Sequence, residues 1–177
     1  MTERSVAIIG KGMIGISMAV LFTGNGIPTI VLAKNAEVGL EKYRTYYRDL
    51  VDQGLVTERQ AAACERRLSF TESYQDLADV ELIFECVTEK LEVKYEVYHQ
   101  IEASCPHLKA IASTTSAISP ADLAKGMSAP EEVKYTINLT YYINRSDSAQ
   151  AVTIQQEVAA AVEQYKTWQR AIGRDIN

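Results

Sequence analysis

A chain of 177 residues is long enough for about one domain with a sizeable core. Eighteen basic residues against 23 acidic ones leave a formal net charge of −5, which gives no general attraction for nucleic acid or anionic lipid, and a hydrophobic share of 47% argues against disorder. Nine glycines and four prolines, roughly 7% of the chain against a usual ~12%, leave little for turns and much for helices. Cys64, Cys86 and Cys105 are odd in number and include no CxxC pair, so neither a disulfide framework nor a metal site is expected. The first residues carry charges and no apolar run reaches the length of a membrane span, so neither a cleavable signal nor a membrane anchor is expected. These bounds point to one soluble, cytoplasmic α/β domain covering 1–177.

In chain order, residues 5–9 (SVAII) form a nearly continuous apolar run, the pattern of a buried parallel strand. A glycine-rich turn at 10–15 precedes a predicted helix over 14–24, closed by Gly24 to Gly26. A second buried strand is predicted at 28–33, with Pro28 at its first position, where proline is tolerated. The segment 35–69 is charged, with Leu40, Tyr43, Tyr47, Leu50 and Val51 at helical spacing. It breaks at Gln53-Gly54, and Thr57 has the look of an N-cap before Glu58 and Gln60. A short strand at 68–70 follows, then a unit opening at 76–79, a strand at 81–87 (ELIFECV) and an amphipathic helix at 90–104. Residues 110–113 (AIAS) read as a strand, and Ser119-Pro120 starts a helix with proline in its first turn. Further on, strands are expected at 134–139 and 148–154 and a helix at 158–172, with Gly173 at its C-cap.

Strands alternate with helices throughout. That favours right-handed crossovers and a Rossmann-type, doubly wound, mostly parallel sheet. The connection after the second strand is long enough for a helical hairpin instead of one crossover helix.

Gly10, Gly12 and Gly15 complete a G-x-G-x-x-G turn between a strand and a helix, the context in which this motif cradles a dinucleotide. Gly10 permits the tight turn, Gly12 lets backbone approach a pyrophosphate, and Gly15 allows close packing of helix on strand. Met13 and Ile14 then present first-turn amides to the anion. An acid is expected about 20 residues on, to bind the adenosine ribose. The second strand instead ends Leu32-Ala33-Lys34-Asn35, and Glu37 is the nearest acid. Lys34 either pairs with a 2′-phosphate, which favours NADP, or is a solvated lysine at the strand end.

Three stretches in order, VAIIGKGMIG, LADVELIFECVTEKLEVKYEVY and ASTTSAIS, resemble the NAD-binding N-terminal domain of the 3-hydroxyacyl-CoA dehydrogenases, including the 3-hydroxybutyryl-CoA dehydrogenases. The resemblance covers nearly the whole chain. It implies that the helical hairpin after the second strand helps hold the CoA moiety. It also implies that Glu89 and Lys94 lie near the nicotinamide end of NAD and that Ser116 hydrogen-bonds the substrate oxygen. Thr114 stands where the family has asparagine. The family's base is a histidine oriented by a glutamate, a pairing suited to proton transfer at neutral pH. Thr140 falls on that histidine, and the glutamate falls near Thr153. His99 and His107 read as surface residues, and Tyr141 and Tyr142 as aromatic packing positions.

The family's C-terminal helical domain has no counterpart within 1–177. The functional expectation is therefore the NAD(P)-binding domain of a 3-hydroxyacyl-CoA dehydrogenase-like oxidoreductase, weak or inactive as it stands. The alternative is a non-catalytic module or partner subunit that binds a dinucleotide or acyl-CoA. The expected partners are a small molecule, either an acyl-CoA or an acyl-carrier thioester, and a second copy of the chain in a homodimer.

Overall fold

The computed structural model describes residues 5–128. Five strands form one sheet: β1 (Val6–Ile9), β2 (Thr29–Leu32), β3 (Leu68–Thr71), β4 (Leu82–Glu85) and β5 (Ala110–Ser113). Their order across the sheet is β3-β2-β1-β4-β5, and every pairing is parallel. Every residue of the inner strands β1 and β4 is buried, which explains why VAII and LIFE read as unbroken runs and not as alternating ones. β3 lies at the edge, partly exposed, and its LSFT sequence is correspondingly more polar.

Helices cover both faces. On one side α1 (Met13–Gly24) returns the chain from β1 to β2 and packs Phe22 on Phe84 of β4, with ring centroids 4.8 Å apart. On the other side α4 (Leu91–Ser104) buries Val97, Tyr98 and Ile101 against Ala7, Ile83 and Ile111. The sequence and structure agree on this doubly wound arrangement.

The long connection after β2 is the expected helical hairpin. It consists of α2 (Ala36–Asp52) and α3 (Glu58–Glu65). Gly54, at φ +69, turns the chain between them, and Thr57 opens α3 with a capping box to Gln60. The hairpin lies on α1. The hydroxyls of Thr23 and Tyr43 meet at 2.7 Å, and Tyr47 donates to the Val20 carbonyl at 3.4 Å.

Some boundaries move. The first helix begins at Met13, not Ile14, with Gly12 as its N-cap. The unit expected to open at 76–79 is a 3-10 turn over Tyr74–Leu77. Lys90 is the N-cap of α4, outside the helix. The last described helix, α5 (Pro120–Ala124), starts at Ser119 as expected, its hydroxyl accepting the Asp122 amide at 3.1 Å. The strands expected at 134–139 and 148–154 and the helix at 158–172 lie outside the described residues. Among the described residues, no helix is long and apolar enough to cross a membrane.

Candidate cofactor site

The glycine turn sits where strand order reverses, at the carboxyl ends of β1 and β4, the position at which open α/β sheets bind ligands. Two backbone bonds fix it: the Gly10 amide donates to the Leu32 carbonyl at 3.0 Å, and the Cys86 amide donates to the Ile9 carbonyl at 2.9 Å. Gly10 has φ +118, and a Cβ there would come within 2.5 Å of the Cys86 oxygen. A Cβ at Gly15 would come within 2.2 Å of the Gly10 oxygen. These two glycines are requirements of the fold.

Gly12 is different. A Cβ added there meets nothing within 4 Å. Its side lies open at the head of α1, where no side chain caps the helix. The first amide of α1 with a helical acceptor is that of Ile16, bonded to the Gly12 carbonyl at 3.0 Å. The amides of Met13, Ile14 and Gly15 precede it, so helix geometry gives them no intrahelical acceptor. Donors around an open backbone at a positive dipole end fit a pyrophosphate. The Met13 side chain, 66% exposed, stands outside this cradle.

Beyond the end of β2, Lys34 and Asn35 are exposed, and Asn35 adopts a left-handed φ of 54 as the N-cap of α2. The Lys11 ammonium reaches across from the glycine turn to donate to the carbonyls of Lys34 and Asn35, the latter at 3.1 Å. The Lys42 ammonium donates to the Lys11 carbonyl at 3.4 Å. Glu37 lies in the first turn of α2, and Glu72, beyond β3, accepts the Ala36 amide at 3.4 Å.

On the other side of the turn, Glu85 ends β4 beside Ile9, its register partner in β1. Its carboxylate is fully buried, as is the Lys94 ammonium on α4, and the two meet at 2.8 and 2.9 Å. Ser113 donates to Glu85 at 2.7 Å, Tyr98 at 3.1 Å and the Val87 amide at 2.9 Å. Burial, with the Glu85 charge alongside, pushes the Tyr98 phenol well above its ordinary range. Burial also pushes the Cys86 thiol up to about 12, which keeps it protonated and unreactive at neutral pH.

Lys94 also reaches Glu89 at 3.4 Å. Glu89 gathers the loop after β5: the Thr115 hydroxyl and the amides of Ser116 (3.1 Å) and Ala117 (3.2 Å) all donate to its Oε1. Burial raises the Glu89 pKa, but the Thr115 and Ala117 hydrogen bonds and the Lys94 charge outweigh it and hold the carboxyl below its ordinary value. Ser116 is thereby held with its side chain exposed at the carboxyl edge of the sheet. Thr114 donates to the Glu85 carbonyl at 3.2 Å.

The fold therefore brings Gly10, Gly12, Gly15, Glu89, Lys94 and Ser116 to one end of the sheet. It leaves His99 and His107 exposed elsewhere, His99 on α4 and His107 in the loop leading into β5. Thr140, Tyr141, Tyr142 and Thr153 lie outside the described residues. Sequence reasoning passed over Glu85, Ser113, Thr115, Lys11 and Lys42. The signal for Glu85 was present as an acid inside the apolar run ELIFECV, which needs a buried partner wherever such a run becomes an inner strand.

Residues 5–144 match the family model described as 3-hydroxyacyl-CoA dehydrogenase, NAD binding domain. The chain belongs to that family. Its NAD-binding domain is 26% identical over 178 residues to the fatty acid oxidation complex subunit alpha of Shewanella halifaxensis, covering 93% of this chain and 25% of that protein. It is 27% identical over 132 residues to the peroxisomal bifunctional enzyme of Cavia porcellus, covering 73% of this chain and 18% of that one. Among solved structures, (S)-3-hydroxybutyryl-CoA dehydrogenase from Ralstonia eutropha superposes with a TM-score of 0.68 at 25% identity, over 75% of this chain and 48% of that one. The chain thus spans about a quarter or less of the curated relatives and about half of the solved one.

Proposed function

We propose that this NAD-binding domain serves an oxidoreductase that passes hydride between a nicotinamide and a 3-hydroxyacyl or 3-ketoacyl thioester. The open side of Gly12 carries the reading, because it leaves the one face of the glycine turn that the fold does not need free for a ligand. When bound, NAD supplies the hydride acceptor. In this reading Met13 and Ile14 offer amides to the pyrophosphate, Glu89 flanks the nicotinamide end with the fully buried Lys94 bracing it from behind rather than touching the coenzyme, and Ser116 faces the substrate oxygen. The thioester class is supported by relatives that carry fatty acid oxidation and 3-hydroxybutyryl-CoA dehydrogenase in their names. An acyl-CoA or acyl-carrier substrate, a homodimer and a cytoplasmic setting complete it.

The test is equilibrium binding of NADH and NADPH by nicotinamide fluorescence, with thermal unfolding alongside. Gly12→Ala puts a methyl group into the open face without touching the fold. It is expected to weaken binding by more than about tenfold, a loss on the order of one charge-assisted hydrogen bond, and to lower Tm by no more than a few degrees, the cost of alanine for glycine at an N-cap. Failure of the parent chain to bind either dinucleotide, or unchanged binding by the variant, overturns the reading.

The sequence itself supports a second reading. The resemblance sets Thr140 on the family's histidine, and a threonine hydroxyl is too weak an acid and too weak a base to replace it near neutral pH. A dinucleotide- or acyl-CoA-binding module or partner subunit would bind NADH and show no turnover with acetoacetyl-CoA.

A further inference from the structure

Around the end of β2, where the adenosine ribose is read, Lys34 follows the strand and the ammonium groups of Lys11 and Lys42 are bonded to neighbouring backbone carbonyls. In this fold an acid after the second strand accepts the ribose 2′-hydroxyl, whereas a cation there accommodates a 2′-phosphate. Here that position is Lys34. Its backbone carbonyl is one of two that receive the Lys11 ammonium, the other being that of Asn35 at 3.1 Å. Lys11 fills the second position of G-x-G-x-x-G, so its chain runs from the pyrophosphate cradle to the end of β2, along the interval between the two sites. The Lys42 ammonium, from the second turn of α2, closes the group at 3.4 Å from the Lys11 carbonyl.

Two features make this more than a set of solvated lysines. Lys11 is only half exposed and already ordered by two carbonyls, so little side-chain freedom remains to be lost on binding. An ammonium has three donors, and two carbonyls leave one for a further acceptor. The acids nearby are otherwise placed. Glu72 takes the Ala36 amide at 3.4 Å, Glu41 is paired with Arg48 at 2.6 Å, and Glu37 lies in the exposed first turn of α2. None follows β2 directly, so no carboxylate holds the position from which a ribose 2′-hydroxyl is bound.

We propose that Lys11, Lys34 and Lys42 form a receptor for the 2′-phosphate of NADP(H), so that this member of the NAD-binding family prefers the phosphorylated coenzyme. The inference rests on the dinucleotide reading above and adds the identity of its adenosine half.

The experiment is paired titration of the full chain with NADPH and NADH, followed by nicotinamide fluorescence, with 2′,5′-ADP and 5′-ADP as competitors. NADPH is expected to bind at least about tenfold tighter than NADH, the scale of one or two charge-assisted hydrogen bonds. The competitor 2′,5′-ADP should displace either nucleotide at lower concentration than 5′-ADP. Lys34→Asp is expected to reverse the preference. Lys11→Met and Lys42→Met should each weaken NADPH several-fold more than NADH, since each removes one of three cations. NADH binding as tightly as NADPH, or lysine variants that weaken both equally, overturns the receptor and leaves the dinucleotide reading standing. Absence of binding by both nucleotides overturns the two together.

Discussion

At the scale of single residues, Glu85 and Lys94 set the local rules. Both are fully buried, and a buried ion pair repays its desolvation only when the remaining hydrogen-bonding capacity is satisfied. Here Ser113, Tyr98 and the Val87 amide satisfy the carboxylate from three further directions. Removing the ammonium alone would leave a carboxylate without its counter-charge in the core. Lys94→Met is therefore expected to destabilise the chain by about 3–5 kcal/mol. Glu85→Gln in the same chain removes the stranded charge while an amide oxygen still accepts from Ser113. The double variant should accordingly be more stable than Lys94→Met alone, a non-additivity expected of groups in direct contact. Urea unfolding of the four chains measures this. A Lys94→Met midpoint matching the parent, or strictly additive losses, would remove Glu85 and Lys94 from their place as the pair that braces Glu89 and the loop of Ser116.

At the scale of elements, the hairpin of α2 and α3 is fastened to α1 through hydroxyls as well as apolar surface. Burial raises the Tyr43 phenol to about 12, the Thr23 hydrogen bond opposing only part of that rise. A folded-state value above the unfolded one, near 10, means that the folded chain favours neutral tyrosine. The resulting stability is complete below about pH 10 and is lost as pH climbs through 10 towards 12. Tyr47, whose phenol is also raised by burial, adds to the same alkaline limb. Tyr43→Phe is expected to cost about 0.5–1.5 kcal/mol at pH 7, because Thr23 keeps its bond to the Ala19 carbonyl at 2.8 Å. The variant should then lose less than the parent between pH 9 and pH 11. Denaturant midpoints across that range check it, and an unchanged alkaline slope would mean that Tyr43 ionises without opening the contact between α1 and α2.

These elements also show what the amino-acid pattern does and does not carry. The unbroken runs of β1, β4 and β5 announce strands buried on both faces, and Gly54 and Thr57 mark the hairpin turn because backbone geometry and capping are local. The glycine cradle is legible for the same reason. The ion pair was not, since Glu85 and Lys94 meet only once β4 and α4 have packed. Nor was the reach of Lys11, which depends on a long side chain crossing from one loop to the carbonyls of another. The 3-10 turn at Tyr74–Leu77 lacks the run length that separates a helix from a loop in sequence.

At the scale of the whole molecule, binding and chemistry separate. The fold sets the cradle, Glu89 and the loop of Ser116 at one end of the sheet, and in the proposed reading these supply orientation. In the proposed reading, proton removal from a 3-hydroxyl needs a group that titrates near neutral pH, and the resemblance sets Thr140 where the family has its histidine. General acid–base catalysis contributes roughly 10²–10⁴-fold, so the chain is expected to reduce acetoacetyl-CoA about 10³-fold more slowly than a family member with the histidine. The deficit should lie in turnover and not in coenzyme affinity, because no residue of the cradle is involved. The pH–rate profile should lack a limb near 6.5, where an imidazole would titrate. Steady-state oxidation of NADH and of NADPH with acetoacetyl-CoA, set beside the binding titrations, reads both quantities on one preparation. Tight coenzyme binding with residual turnover fits a domain that has kept its cradle and changed its base. Turnover in the common enzyme range of about 1–10³ per second, with a limb near pH 6.5, would instead mean that a base other than position 140 serves the reaction.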